Sequence, residues 1–245
     1  MVSEFTYELL LLGIAPAIFL LWYFRHKERF TPKEPIGLML KTFLRGAFWI
    51  IPALILELAG QYFLQPDPHS LVQSILFFYI VVGPAEELGK YWAVTRSARS
   101  PKFRVPFDGI ILGVSAGLGF ATVENILYIF NAPTPEDQVL TGIIRALLSV
   151  PGHAFWGAII GFYVGQSRRF NRAISSVAGL AIAAFLHGTF DSANVIVSEF
   201  AGDSTALNLL GLAVLFGIVY LGYVTIVRKE IRTAEAESDH ATMTP

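Results

Sequence analysis

Seven apolar stretches fill almost the whole chain, at 5–24, 36–64, 71–94, 107–130, 139–165, 173–197 and 206–227. As a helix rising 1.5 Å per residue, each is long enough to cover the ~30 Å hydrocarbon core of a bilayer. The composition leaves no other solvent for them. Of 245 residues, 54% are hydrophobic and only 15% charged, against roughly 25% charged in a soluble domain. The expected fold is therefore all-α, a polytopic transmembrane bundle of about seven spans in the cell membrane. The absence of cysteine excludes a disulfide scaffold, a thiolate metal site and a cysteine nucleophile. A net charge of −1 gives no support to nucleic-acid binding.

The charges between the spans set an orientation. Arg25, Lys27, Arg29 and Lys33 follow span 1, and Arg96, Arg99, Lys102 and Arg104 separate spans 3 and 4. Arg168, Arg169 and Arg172 separate spans 5 and 6, and Arg228, Lys229 and Arg232 follow span 7. The alternate loops, 65–70, 131–138 and 198–205, carry no Lys or Arg and hold Asp67, Glu136, Asp137, Glu199 and Asp203. This bias predicts an N-terminus outside and a C-terminus in the cytoplasm. Span 1 lacks a basic segment before it and a small-residue cleavage site, so it reads as a retained anchor. Residues 1–230 read as one helical domain with its motifs in 71–197, and polar 231–245 as a disordered cytoplasmic tail. Gly113/Gly117 and Gly157/Gly161/Gly165 put glycine on one helical face, a pattern for close helix contact in lipid.

Ionisable groups inside spans are costly, and such groups mark functional sites by default. This chain has Glu57 in span 2, Glu86, Glu87 and Lys90 in span 3, Glu124 and Asn125 in span 4, Arg145 and His153 in span 5, and His187 and Asp191 in span 6. Counting from span midpoints places His153 near the centre and the others within overlapping depths, so four consecutive helices could share one wet cavity. Glu86 and Lys90 stand four apart and are spaced for an intrahelical pair, which leaves Glu87 free for another partner. Two adjacent glutamates in low dielectric are candidates for a general base, Glu87 as the expected one and Glu86 if the helix is rotated. His187 and Asp191, one turn apart, either both ligate a divalent ion or use Asp191 to orient the imidazole. His153 brings a second imidazole, and two histidines with a carboxylate form a ligand set for catalytic Zn²⁺. Glu124 has three open roles: metal ligand, histidine-orienting group or substrate holder. Arg145 has two, counter-ion to Glu124 or oxyanion donor. Asp108, at a helix entrance, reads as a structural first-turn residue.

Soluble-enzyme templates fail. HExxH and Walker A sequences are absent, and no GxSxG stands in a strand context. An aspartyl intramembrane enzyme needs two matched aspartates, and only Asp191 qualifies.

Taken in order, Glu86-Glu87-x-x-Lys90, Phe107-Asp108-Gly109, Phe120-x-x-x-Glu124-Asn125-x-x-Tyr128, His153 and His187-x-x-x-Asp191 resemble the PrsW family of intramembrane proteases. That family is a branch of the group holding the CAAX prenyl endopeptidases and bacteriocin-processing enzymes. The resemblance implies peptide-bond hydrolysis within or beside the membrane, with activity resting on Glu86, Glu87 and His187. His153, His187, Glu124 and Asp191 are the candidate ligands of a Zn²⁺ ion, and Lys90, Asn125 and Arg145 support them. It also implies a single-pass or lipid-anchored protein substrate, such as an anti-sigma factor cut at a first site outside the cytoplasm. Prenyl endopeptidases carry His where this chain has Glu124 and Asn where it has Asp191, so a CAAX-type activity is the weaker alternative. A proton- or ion-coupled transporter is the other rival, because relays also use intramembrane Glu, His, Lys and Asp. It predicts a polar path to both faces.

Overall fold

The computed structural model of the protein describes residues 4–28, 33–67, 69–170, 173–202, 204–222, 225 and 227–243. Arg29, Arg172 and Asp203, used in the orientation argument, lie outside them, as do parts of the seventh apolar stretch. Among the described residues there are helices and no strands. The helices are α1 (Glu4–Lys27), α2 (Ile36–Leu64), α3 (Leu71–Phe77), α4 (Gly83–Ser97), α5 (Pro106–Asn131), α6 (Pro135–Leu147), α7 (Ser149–Phe170), α8 (Ala173–Ala201), α9 (Thr205–Gly222) and α10 (Arg228–Met243). A π-helical turn, Phe78–Val82, joins α3 to α4 without a break.

Six segments are long and apolar enough to cross a bilayer: α1, α2, the α3–α4 rod Leu71–Ser97, α5, the α6–α7 pair Pro135–Phe170, and α8. The seventh expected span is α9, whose apolar stretch Ala206–Gly222 is shorter. It would reach roughly 25 Å, near the lower limit for a spanning helix. The multi-pass helical bundle read from the sequence is the architecture found.

Helix α5 is the axis of the bundle. Every residue from Val105 to Thr122 is buried, and 83% of its apolar window lies inside, against 11% for α2. A helix apolar on all sides belongs in such a position. Its glycines let α7 approach to backbone contact. A Cβ on Gly113 would run into the Gly157 carbonyl oxygen, and one on Gly117 into that of His153. The small-residue faces read from the sequence are therefore one seam, and it fixes His153 at the inner face of α7.

Two features depart from the sequence reading. The fifth apolar stretch is two helices that part at Leu148. Pro151 has no N–H for the carbonyl one turn earlier and sits in the first turn of α7, where proline is tolerated. His153 thus belongs to the opening turns of a helix and not to the middle of a straight span. The tail expected to be disordered is helical over Arg228–Met243 and packs on α5 and α7. Val227, Ile231 and Ala234 recur at helical spacing, and Val227 and Ala234 are fully buried, so a short apolar face anchors a segment whose composition is polar. Gln166 donates to the Glu237 carboxylate along that seam.

Candidate active site

A cavity of about 610 Å³ lies between α2, the π-turn, α4, α5, α6, α7 and α8. It runs from Glu86 and His187 toward Asn131, the last residue of α5, and so toward the end of the bundle that carries the acidic loops. Ile50, Leu54, Phe78, Val82, Leu127 and Phe190 form its apolar walls. Trp49, on α2, anchors that helix to α4. It donates from Nε1 to the Ala85 carbonyl at 3.1 Å, and its ring fills the space left by Gly89.

The neighbouring glutamates of α4 point to different places. Glu86 lines the cavity, and its Oε2 is buried without a hydrogen-bond partner. Glu87 is fully buried outside the cavity wall. Its Oε1 accepts from the Lys90 ammonium and lies 2.8 Å from His187 Nδ1. The pair expected between Glu86 and Lys90 is thus made by Glu87 and Lys90, three residues apart. Helix geometry allows either spacing, and Lys90 is drawn to the inner side because His153 Nδ1 waits there at 2.7 Å. The ammonium also sits 5.0 Å from the Phe120 ring centre and 5.2 Å from that of Trp156, both favourable cation–π arrangements.

These contacts fix the protons of both imidazoles. A lysine ammonium only donates, so His153 Nδ1 is an acceptor and its Nε2 carries the hydrogen. That N–H donates to Glu124 Oε2 at 2.8 Å. For His187 the roles reverse. Glu87, held by Lys90, accepts from Nδ1–H, and Nε2 is left with a lone pair. Nε2 faces Glu86 Oε2 at 3.7 Å and Asp191 Oδ2 at 3.5 Å. A carboxylate behind a histidine is the usual way to aim such a nitrogen at a metal. Trp156 stacks on the His187 ring with centres 4.0 Å apart, which holds its plane.

The remaining expected residues gather on or against α5, with Glu124 and Arg145 on the cavity wall and Asn125 and Asp108 off it. Arg145 donates to Glu124 Oε2 at 2.5 Å and to Asn125 Oδ1 at 2.8 Å, and its guanidinium covers the Tyr128 ring. Of its two open roles, the counter-ion to Glu124 is the one seen. Asn125 is buried and donates to the Gly13 carbonyl of α1 at 3.4 Å, turned away from the cavity. Asp108 accepts from the backbone N–H groups of Arg104 and Val105 at 2.7 and 3.1 Å, at the far end of α5.

Glu86, His153 and His187 bring donor atoms within 4.8 Å of one another, a spacing that could hold a metal ion. The four expected ligands divide, however. His187 and Asp191 keep donor atoms facing one point, while His153 and Glu124 are bonded to each other and to Lys90 and Arg145. The 3.5–3.7 Å separations around His187 Nε2 match the edge of a tetrahedron with metal–ligand bonds of ~2.1 Å. The donor set fits a divalent ion.

Two chamber residues had no role in the sequence reading. Trp156 was legible in principle, because it follows His153 by three and shares its helical face. Glu57 was visible as a costly charge, but nothing in a single α2 sequence tells which wall it faces. It lines the cavity opposite α8.

Residues 34–224 match the family model described as PrsW family intramembrane metalloprotease. Proteins named Protease PrsW are similar over most of the chain. That of Halalkalibacterium halodurans is 33% identical over 199 residues, covering 79% of this chain and 86% of the relative. That of Bacillus subtilis is 34% identical over 184 residues, covering 73% and 79%. That of Oceanobacillus iheyensis is 31% identical over 212 residues, covering 85% and 91%. No solved structure matches.

Proposed function

We propose, because this chain belongs to the PrsW family of intramembrane metalloproteases, that it hydrolyses a peptide bond of a single-pass or lipid-anchored protein with water activated by Glu86. The protein is a multi-pass protease of the cell membrane, and its substrate is a protein within the bilayer. The observation that carries the proposal is the unpartnered Oε2 of Glu86, buried beside the cavity and facing His187 Nε2. Leaving a buried acceptor without a hydrogen bond costs about 1–3 kcal/mol. A group kept in that state at a cavity wall is poised to take a proton.

In this reading His187 and Asp191, one turn apart on α8, hold a Zn²⁺ ion, with Glu86 across from them. When bound, zinc supplies Lewis acidity, polarising the scissile carbonyl and making water nucleophilic near neutral pH. Glu86 accepts the proton of the attacking water. Glu87 and Lys90 act from behind, keeping the His187 lone pair aimed into the chamber. Arg145, tied in place by Glu124 and Asn125, lends positive charge to the wall where an oxyanion develops. The apolar walls keep out bulk water, which strengthens each of these interactions.

An N-terminus outside, as the loop charges suggest, turns the chamber's open end to the extracytoplasmic side. That orientation supports cleavage of a membrane-spanning anti-sigma factor just outside its span.

Purified wild type, Glu86→Gln and His187→Ala, reconstituted with a single-span peptide, test the assignment. Glu86→Gln is expected to retain zinc by elemental analysis and to lose cleavage by at least about 10²–10⁴-fold. His187→Ala loses both, and chelation of the wild type followed by zinc return restores cleavage. A wild-type rate in Glu86→Gln overturns the proposal.

A further inference from the structure

Charge in the chamber is unevenly settled. Glu124 has Arg145 and His153, while Asp191 and Glu86 face His187. Glu57 lines the same cavity from α2, partly exposed to it, and among the described residues it has no hydrogen bond or ion pair. On the same helix Ile50 and Leu54 line the cavity as apolar wall and Leu58 is exposed, so Glu57 is the one charge on the face that α2 gives to the chamber. It stands seven residues before the end of α2, about 10 Å along the axis, on the Asn131 side of the chamber. A divalent ion at His187 and Asp191 would balance charge at the floor and leave Glu57 as the uncompensated carboxylate. A carboxylate in an apolar setting is stabilised by a cation that hydrogen-bonds to it. The cavity, at about 610 Å³, lies within the ~300–1,000 Å³ of pockets that enclose a drug-sized ligand and has room for a few residues of unwound chain.

We propose that Glu57 is a specificity residue that receives a Lys or Arg side chain of the substrate, on the side of the scissile bond nearer the chamber's open end. The proposal rests on the hydrolytic reading above and names the substrate class that reading leaves open: membrane segments with a basic residue close to the cut.

The test uses reconstituted full-length protein and synthetic single-span peptides with one apolar span and a Ser/Gly/Ala outer segment. Lys, norleucine or Glu is placed at each outer position in turn, and products are identified by mass. In the wild type, Lys at one position is expected to raise kcat/KM roughly tenfold or more over norleucine, the scale of a charged hydrogen bond. Glu57→Gln brings that ratio close to one, and Glu57→Lys inverts it in favour of Glu. An unchanged Lys-to-norleucine ratio in Glu57→Gln, or no preference in the wild type, overturns the proposal. A wild type that cuts none of the peptides counts instead against the hydrolytic reading, and the specificity falls with it.

A second measurement does not depend on turnover. The chain has no cysteine, so Glu57→Cys in a Glu86→Gln background offers a single thiol. With diamide added as the thiol oxidant, a peptide with Cys at the favoured Lys position is expected to form a disulfide with it, and peptides with Cys several residues away are not. Equal cross-linking at all positions also overturns the proposal.

Discussion

Two clusters of buried charge sit in the same bundle and solve the same problem differently. At the basic-loop end, Glu28, Glu34 and Asp108 are 3%, 0% and 0% exposed beside Arg25 and Arg104. Glu28 accepts from the Glu34 N–H at 2.7 Å, and Asp108 accepts from two backbone N–H groups. Burial, reinforced by the Asp108 carboxylate, pushes Glu34 up to about 8, so it is a neutral acid at pH 7. The Glu28 and Asp108 oxygens tie the α1–α2 and α4–α5 turns together, while both Glu34 carboxylate oxygens are buried without a hydrogen-bond partner and away from the cavity. In the chamber, acceptors are met by side chains, and the Glu86 oxygen and the Glu57 carboxylate are left facing a cavity. The cations differ in the same sense. The Arg104 side chain is 31% exposed and Lys90 is fully buried. An acid whose lone pairs are taken up by backbone is a fastening, whereas one held open at a cavity wall is available for chemistry.

The largest break in that contrast should come from Lys90→Met. It removes the ammonium from a buried carboxylate, a loss of about 3–5 kcal/mol, and frees both His153 and Glu87 from their set orientations. Thermal unfolding in detergent and peptide cleavage should both fall sharply. Lys90→Met with Glu87→Leu should recover much of the stability and none of the cleavage. A single variant as stable as wild type would show that the Lys90–Glu87 pair has been misassigned.

Asp108→Ala should act only on the fold. Losing an acceptor for backbone N–H groups at a helix start costs about 0.5–2 kcal/mol. The melting temperature should drop, while the rate per folded molecule holds, because Asp108 is remote from the chamber. A selective loss of rate would erase the distinction between the two clusters.

A third expected effect is a pH slope. Glu34 holds its proton more tightly in the folded state than its ordinary value of 4.5 would give. Its contribution is therefore fully present below about pH 4.5 and is lost as pH rises through about 8. Asp108 and Glu28 face it as acids, and Arg25 and Arg104 as cations. Glu34→Gln should flatten the stability profile between those limits. A profile equally steep without Glu34 would assign the slope to another group.

Much of this was legible before any coordinates. Ionisable side chains in apolar helices are costly enough to stand out, and Glu86, Glu124, Arg145, His153, His187 and Asp191 do line one cavity. Their pairing was not legible. Four-residue spacing favoured Glu86 as the partner of Lys90, and the structure gives Lys90 to Glu87, because His153 on another helix decides which way the ammonium turns. The π-turn before Gly83 adds a residue to one turn and resets which face of α4 meets the chamber, a shift without a sequence signature here. The break at Leu148 escaped a hydropathy reading because both sides are apolar, although Pro151 was its visible cause. The helical tail escaped because the few apolar residues of its buried face weigh little in composition.

What the amino-acid order determined by itself was the solvent, the placement of the apolar stretches, the glycine faces and the set of costly polar groups. These follow from local quantities: length against bilayer thickness, transfer cost and side-chain volume. Only the packing of α4, α5, α7 and α8 decided which glutamate faces the water, which imidazole nitrogen keeps a lone pair and that Glu57 stands alone. Each of those outcomes depends on distances of about 3 Å between residues up to one hundred positions apart, and hydrogen bonding at that range is set by tertiary contact, not by neighbours in the chain.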